Sequence, residues 1–327
     1  MATESGSAAG VQAATTPLGK ARCVVFAYHE VGYACMSELL KLGAPIAALF
    51  THDDNPAEEI WWRPCRELAR RHEIAVFMAD SFDELWRARI AAMQPSILYS
   101  FFYRSLLPEE VLKIAPLGSF NLHTSLLPKY RGRSPVNWMI VNGEREAGVT
   151  LHHMTARADA GDIVAQRAVE IAEDDTALTL YRKLVPLGAA LIREYHPLIV
   201  AGLAPRKVQD LRAGSYYGRR RPEDGRIDWN WPARRIFNLV RGVTHPYPGA
   251  FGFIGGRKLT VWEARVAQEK GKWAESGCII RALGDAVEVA AGEGSLLILR
   301  GQLEGEAEAD AATVLSETAL ATAQRLE

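Results

Sequence analysis

From residue 22 onward, short apolar runs alternate with longer stretches whose apolar residues recur every three or four positions. The run CVVFAY at residues 23–28 is apolar throughout, as in a strand buried on both faces, and a helix-spaced stretch follows through MSELLKLG. The pair then repeats. Residues 44–52 read as a strand, 56–72 as a helical region broken or bent near Pro64, and 74–79 as a third strand. Residues 81–93 read as a helix with Ser81 as its N-cap, and 96–103 as another buried strand. After a strand at GSFNLH come a loop, a helix from Pro135, strands at GVTLHHM and IVAQRAVEI, and a long helix from Thr176 towards Gly202. Parallel strands need crossover connections, so this alternation predicts an α/β fold: a Rossmann-like, doubly wound, mostly parallel sheet over residues 21–205. From about Leu211 the texture changes to short strand-like pieces punctuated by Gly and Pro, which predicts a small OB-like β-barrel domain over 211–303. Residues 1–20 read as a disordered lead and 304–327, rich in Glu, Ala and Thr, as a weakly ordered tail.

Composition narrows the function classes. The 327 residues carry 38 Lys and Arg against 39 Asp and Glu, so no single-sign field exists to attract nucleic acid or an anionic membrane. No apolar run approaches the roughly 18 residues that span a bilayer. The first twenty residues lack the basic start and apolar segment of a signal peptide. Cys23, Cys35, Cys65 and Cys278 form no CxxC pair and read as packed free thiols, which fits a reducing cytoplasm.

The turn after the first strand, Ala27 to Gly32, has one glycine where a dinucleotide-binding loop supplies three, so NAD and FAD are disfavoured. Chemistry points instead to residues 120–135. Side chains repeat every two residues along an extended chain, so Asn121 and His123 share one side of a strand end, where open α/β sheets bind ligands. Asp159 lies 36 residues after His123, in the loop RADAGD, and is placed to return to it. Such a trio suits acyl transfer: a carboxamide to stabilise an oxyanion, an imidazole to handle protons, and a carboxylate to favour the charged imidazolium. Taken alone, the pair is weak evidence, because a strand-end histidine is more often structural and an Asp in such a loop is commonly a turn residue. GxSxG and HExxH are both absent, and His152 and His153, being adjacent in a strand, are expected to face opposite sides rather than chelate a metal.

The segments FNLHTSLLPKYRGRSPVNWMIVNGE and GVTLHHMTARADAGDIVAQ resemble the folate-dependent formyltransferase family, and the likeness extends over residues 22–303. Within it the chain is most similar to the formyltransferase half of a bifunctional polymyxin-resistance protein that formylates UDP-4-amino-4-deoxy-L-arabinose and whose product serves lipid A modification; for this chain the pathway stays open. The resemblance implies N10-formyltetrahydrofolate as co-substrate, no metal, and Asn121, His123 and Asp159 as the catalytic residues. It implies folate contacts from Ser105, Leu106, Leu107, Arg133, Thr155, Ala156, Arg157 and Ala158. Thr124 stands where relatives usually have Gly or Ala, and the chain stops where the bifunctional protein continues into a decarboxylase, so transferase activity alone is expected.

The acceptor is open between a nucleotide-linked aminosugar and methionyl-tRNA, whose formyltransferase shares the trio. From Asp210 to Glu327 the chain has sixteen basic and sixteen acidic residues, whereas a tRNA-binding domain should be basic; the sugar nucleotide is favoured. Candidate sugar-nucleotide contacts are Tyr28, His29 and Glu30 at the first strand's end, and Arg219 and Arg220 in an arginine cluster suited to a diphosphate or equally to a solvated turn. A binding protein that kept the fold without the activity is the alternative from another class.

Overall fold

The computed structural model describes residues 21–56, 59–79, 81–316 and 325–327, so the lead expected over residues 1–20 lies outside them. The first domain runs β1 (Cys23–Ala27), α1 (His29–Lys41), β2 (Ile46–Thr51), α2 (Cys65–Arg71), β3 (Ala75–Met78), α3 (Glu84–Ala92), β4 (Ile97–Phe101), α4 (Glu109–Leu112) and β5 (Ser119–His123). It continues through β6 (Arg131–Gly132), α5 (Pro135–Val141), β7 (Glu146–His153), β8 (Ile163–Glu170) and α6 (Ala177–Val200). The sheet order is β3-β2-β1-β4-β5-β7-β8, parallel from β3 to β5 and antiparallel at β7 and β8. The order turns back between β1 and β4, which places a topological switch point, and hence a ligand crevice, at their carboxyl ends.

The continuous apolar runs have a direct reading in the packing. Cys23, Val25 and Ala27 enter the core on one face of the sheet, while Val24 and Phe26 enter the core on the other. Two local expectations differ. Asp83, not Ser81, caps α3 by accepting from the Trp86 N–H at 3.0 Å. Pro64 precedes a helix rather than bending one: α2 begins at Cys65, and the tryptophans before it are outside the helix. Lacking an N–H, proline suits that boundary. Thr176, the expected start of the long helix, caps α6 in a reciprocal box with Thr179.

The second domain follows a linker that contains β9 (Tyr216–Tyr217). It comprises α7 (Ala233–Val243), β10 (Ala250–Ile254), β11 (Arg257–Gln268), β12 (Ile279–Leu283), β13 (Ala286–Ala290), β14 (Ser295–Leu303), β15 (Ala309–Asp310) and α8 (Ala311–Ser316). Its antiparallel sheet is ordered β10-β11-β14-β13-β12, with β15 on β14. Helix α7 docks it on the first domain: Asn137 in α5 donates to the Gly242 carbonyl at 2.8 Å, and Arg241 donates to the carbonyls of Ala172 and Asp175. Residues 304–316, expected to be weakly ordered, instead supply β15 and α8, because Ala311, Val314 and Leu315 bury against the sheet.

Residues 325–327 are built in as well. Glu327 exchanges both backbone hydrogen bonds with Phe253 of β10 at 2.8 Å, while the Leu326 N–H donates to Gly277 and Arg325 pairs with Cys278 beside β12. Arg325–Glu327 thus bridge the two edge strands of the sheet, and the Leu326 side chain enters the core.

Two buried histidines make the fold sensitive to acid. Burial, aided by the Arg104 charge, pushes the His29 imidazole down to about 3, and burial pushes His196 down to about 4. Both are neutral in the folded protein but take up protons in the unfolded chain below about pH 6.5, so stability falls as pH drops through that value. Each contributes about 1.4 kcal/mol per pH unit, so going from about pH 7.5 to about pH 5.5 should cost about 3 kcal/mol. Denaturant unfolding at both pH values measures this; an unchanged free energy would show that the histidines are not held neutral.

Candidate active site

Strand β5 turns Phe120 and Leu122 into the core and leaves Asn121 and His123 on its opposite face, as the two-residue repeat requires. Asp159 comes from the loop between β7 and β8, and the three polar groups meet at the carboxyl edge of the parallel strands. Its Oδ1 lies 3.6 Å from His123 Nδ1 and 3.5 Å from Asn121 Nδ2, and its Oδ2 accepts the Gly132 N–H at 2.9 Å.

The proton arrangement follows from these partners. His123 Nε2 lies 2.7 Å from the Tyr130 carbonyl, which can only accept. Nε2 therefore carries hydrogen, and Nδ1 is the nitrogen that faces Asp159. Burial raises the Asp159 carboxyl, but the His123 charge, the contact with His152 and the Gly132 N–H together outweigh it and hold the acid well below the usual carboxylate range. The site keeps a buried anion beside the imidazole.

Asp159 adopts a left-handed backbone, φ 53°, a conformation that Asp tolerates better than most residues. Two residues on, a Cβ at Gly161 would sit 1.9 Å from the His153 carbonyl oxygen, so this loop closes only with glycine there. Left-handed Tyr130 and Ser134 flank the opposite wall. Such conformations persist only where surrounding contacts over-determine them.

Sequence reading missed His152. It is paired with Asn121 across β5 and β7, so both side chains stand on the same face. His152 Nδ1 is bound to the His153 carbonyl at 2.8 Å, which leaves Nε2 to accept from Asn121 at 3.0 Å, 3.6 Å from Asp159 Oδ1. The alternation of GVTLHHM carried this signal, but using it required the antiparallel register, which no local pattern supplies.

The residues expected to touch folate separate. Ser105 and Arg133 line a pocket of about 350 Å³ with Thr51, His52, Asp53, Met78 and Arg104, and Arg133 donates to the Arg104 carbonyl at 3.3 Å. Leu106 is 72% exposed beside it, whereas the Leu107 side chain packs in the core with Val111 and Leu112. Thr155, Ala156 and Arg157 are exposed on the β7–β8 loop, with the Thr155 hydroxyl donating to the Arg157 carbonyl, and Ala158 is half-buried.

Those proposed for the acceptor are engaged internally. Tyr28 donates to Asp54 at 2.9 Å and lies under the Arg104 guanidinium. His29 is buried, stacked on Trp62 at 4.0 Å and bonded to the Tyr181 hydroxyl at 2.6 Å, while Glu30 pairs with Arg63. Arg220 lies over the Trp138 ring at 4.4 Å and donates to the Asp224 carbonyl; Arg219 is exposed.

The family described as formyl transferase matches residues 40–194, and the family described as formyl transferase, C-terminal domain, matches residues 220–318. Among solved structures, HypX from Aquifex aeolicus in complex with tetrahydrofolic acid is 19% identical with a TM-score of 0.60. The match covers 90% of this chain and 47% of HypX, so the chain spans about half the length of that protein. The N-formyltransferase from Helicobacter canadensis, in complex with folinic acid and dTDP-3-aminofucose, is 20% identical with a TM-score of 0.67, over 85% of this chain and 98% of the other. WlaRD, a sugar 3N-formyl transferase in the presence of dTDP and 5-N-formyl-THF, is 19% identical with a TM-score of 0.66, over 88% and 98%. At these identities the structural likeness is one of fold; matched by the two family descriptions over more than half of its length, the chain belongs to the formyl transferase family.

Proposed function

We propose that this protein transfers the formyl group of N10-formyltetrahydrofolate to the primary amine of a nucleotide-linked aminosugar, with Asn121, His123 and Asp159 as its catalytic residues. The observation that carries the reading is the convergence of those three groups at the sheet's carboxyl edge, with His123 oriented by the Tyr130 carbonyl and Asp159. The amine nitrogen bonds to the formyl carbon, whose oxygen takes the negative charge. The Asn121 N–H that now reaches Asp159 at the outer limit of a hydrogen bond turns to that oxygen, together with the proton on His123 Nδ1. The bond from carbon to N10 then breaks. N10 leaves with a proton and the amine loses one, so the products are the formamide and tetrahydrofolate, and His123 carries the proton between the two nitrogens.

The pocket bearing Ser105 and Arg133 is our candidate for part of the folate site, since Arg133 follows directly on Gly132, which holds Asp159. The sugar-nucleotide reading rests on two supports: the charge-balanced second domain, and the likeness in fold to an enzyme holding dTDP-3-aminofucose. The resemblance of residues 120–144 makes UDP-4-amino-4-deoxy-L-arabinose our first acceptor, and the free cysteines Cys23, Cys35, Cys65 and Cys278 fit a reducing cytoplasm. Incubating the protein with N10-formyltetrahydrofolate and this sugar nucleotide, with dTDP-3-aminofucose and methionyl-tRNA in parallel, should give formylated sugar detectable by mass spectrometry. Turnover of tRNA alone would overturn the acceptor class, and turnover of another sugar alone would overturn the first acceptor.

A further inference from the structure

The linker between the domains does more than connect them. Lys207 exchanges backbone hydrogen bonds with Ile163, at the far end of the loop that carries Asp159. Gln209 follows, 8% exposed, and its amide nitrogen donates to the Asp159 carbonyl at 3.1 Å and to the Gly161 carbonyl at 2.6 Å. The Ser215 hydroxyl accepts from the Tyr130 N–H at 2.9 Å and its carbonyl from the Arg131 N–H at 3.0 Å. Tyr216 and Tyr217 form β9 against Arg131 and Gly132 in β6, with the Tyr217 ring stacked on Tyr130 at 5.0 Å. One strap therefore touches both walls of the site: the loop that presents Asp159, and the segment whose Tyr130 carbonyl orients His123 and whose Gly132 N–H holds the Asp159 carboxylate.

Gln209 is the informative member. Its Oε1 is buried with no partner among the described residues. An apolar residue of the same size would avoid that cost. What a glutamine supplies instead is the pair of N–H groups that clamps two carbonyls in a loop whose central residue has a positive φ. We infer that Gln209, at the centre of the interdomain strap, is a positioning residue that fixes Asp159 against His123. This rests on the catalytic reading of Asp159 given above. The titratable groups facing that carboxylate are His123 from β5 and His152 from β7, and Gln209 acts on both contacts through the loop backbone.

The test uses Gln209→Met, which keeps the volume and removes the donors, alongside Gln209→Glu, which keeps the shape and replaces the donors by acceptors. Each should lower kcat about tenfold, with the donor's Kd changed less than about twofold, and should move the alkaline limb of the pH profile towards that of Asp159→Asn. Because Gln209 acts through Asp159, combining Gln209→Met with Asp159→Asn should leave activity within about twofold of Asp159→Asn alone. Multiplying losses, or a pH profile superimposable on wild type, would overturn the inference. An Asp159→Asn enzyme as active as wild type would instead overturn the catalytic reading. A readout independent of turnover then decides the positioning role: the Gly132 amide hydrogen, which donates to Asp159 Oδ2 at 2.9 Å, should exchange with solvent about tenfold faster in Gln209→Met at neutral pH, and an unchanged exchange rate would refute it.

Discussion

Replacing His123 by Ala should reduce kcat about a thousandfold while leaving the Kd of the formyl donor nearly unchanged. A positioned imidazole that passes a proton in the transition state is worth about 10²- to 10⁴-fold. The His123 ring is 8% exposed, bonded through Nε2 to the Tyr130 carbonyl and facing Asp159 with Nδ1 at 3.6 Å, so its removal leaves a buried gap beside the carboxylate. Asn121→Ala should cost about 10²- to 10³-fold in kcat, the loss typical of one oxyanion donor. The two variants differ in detail, because Asn121 also donates to His152, and its removal leaves that buried imidazole one partner short. Steady-state kinetics and donor-binding isotherms distinguish the readings. If KM rises in either variant while kcat holds, the residue binds substrate and our assignment is wrong.

Replacing Asp159 by Asn should lower kcat about a hundredfold and move the alkaline limb of the pH profile to lower pH. The sign follows from the charge. The Asp159 anion lies 3.6 Å from His123 Nδ1 and favours the form of the ring that can donate to the oxyanion. Without the anion the proton leaves at lower pH, so activity is lost earlier as pH rises. The acid limb should move little, because the wild-type carboxyl is held well below the usual carboxylate range and is already ionised wherever the enzyme is folded and active. An alkaline limb that stays in place would separate Asp159 from the control of His123.

Much of this was legible in the chain itself, for reasons that differ from element to element. Strands buried on both faces, such as β1, announce themselves as unbroken apolar runs, and parallel order follows from the helices between them. That Asn121 and His123 share a face was readable because a strand repeats every two residues; spacing only suggested that Asp159 returns to them, and the family resemblance singled out the trio. His152 was hidden, since its role depends on which residue of β5 it opposes. Gln209 was hidden for a related reason: a glutamine in an irregular linker has no period, and only the folded path brings it under the Asp159 loop. Residues 304–316 differ from the expectation because Glu and Ala dominate their composition, while their order comes from three apolar residues of α8 spaced to face the sheet.

The closing of the second domain by Arg325–Glu327 has a bearing on how the protein is made. Synthesis proceeds from the amino end, so Phe253 of β10 and Gly277 and Cys278 just before β12 keep unpaired backbone groups until Arg325–Glu327 have cleared the ribosome tunnel. Unpaired edges are templates for pairing with other chains. Deleting Arg325–Glu327 removes the pairing at Phe253 and at Gly277 and Cys278 together, so the yield of soluble protein should fall in a chain that lacks them.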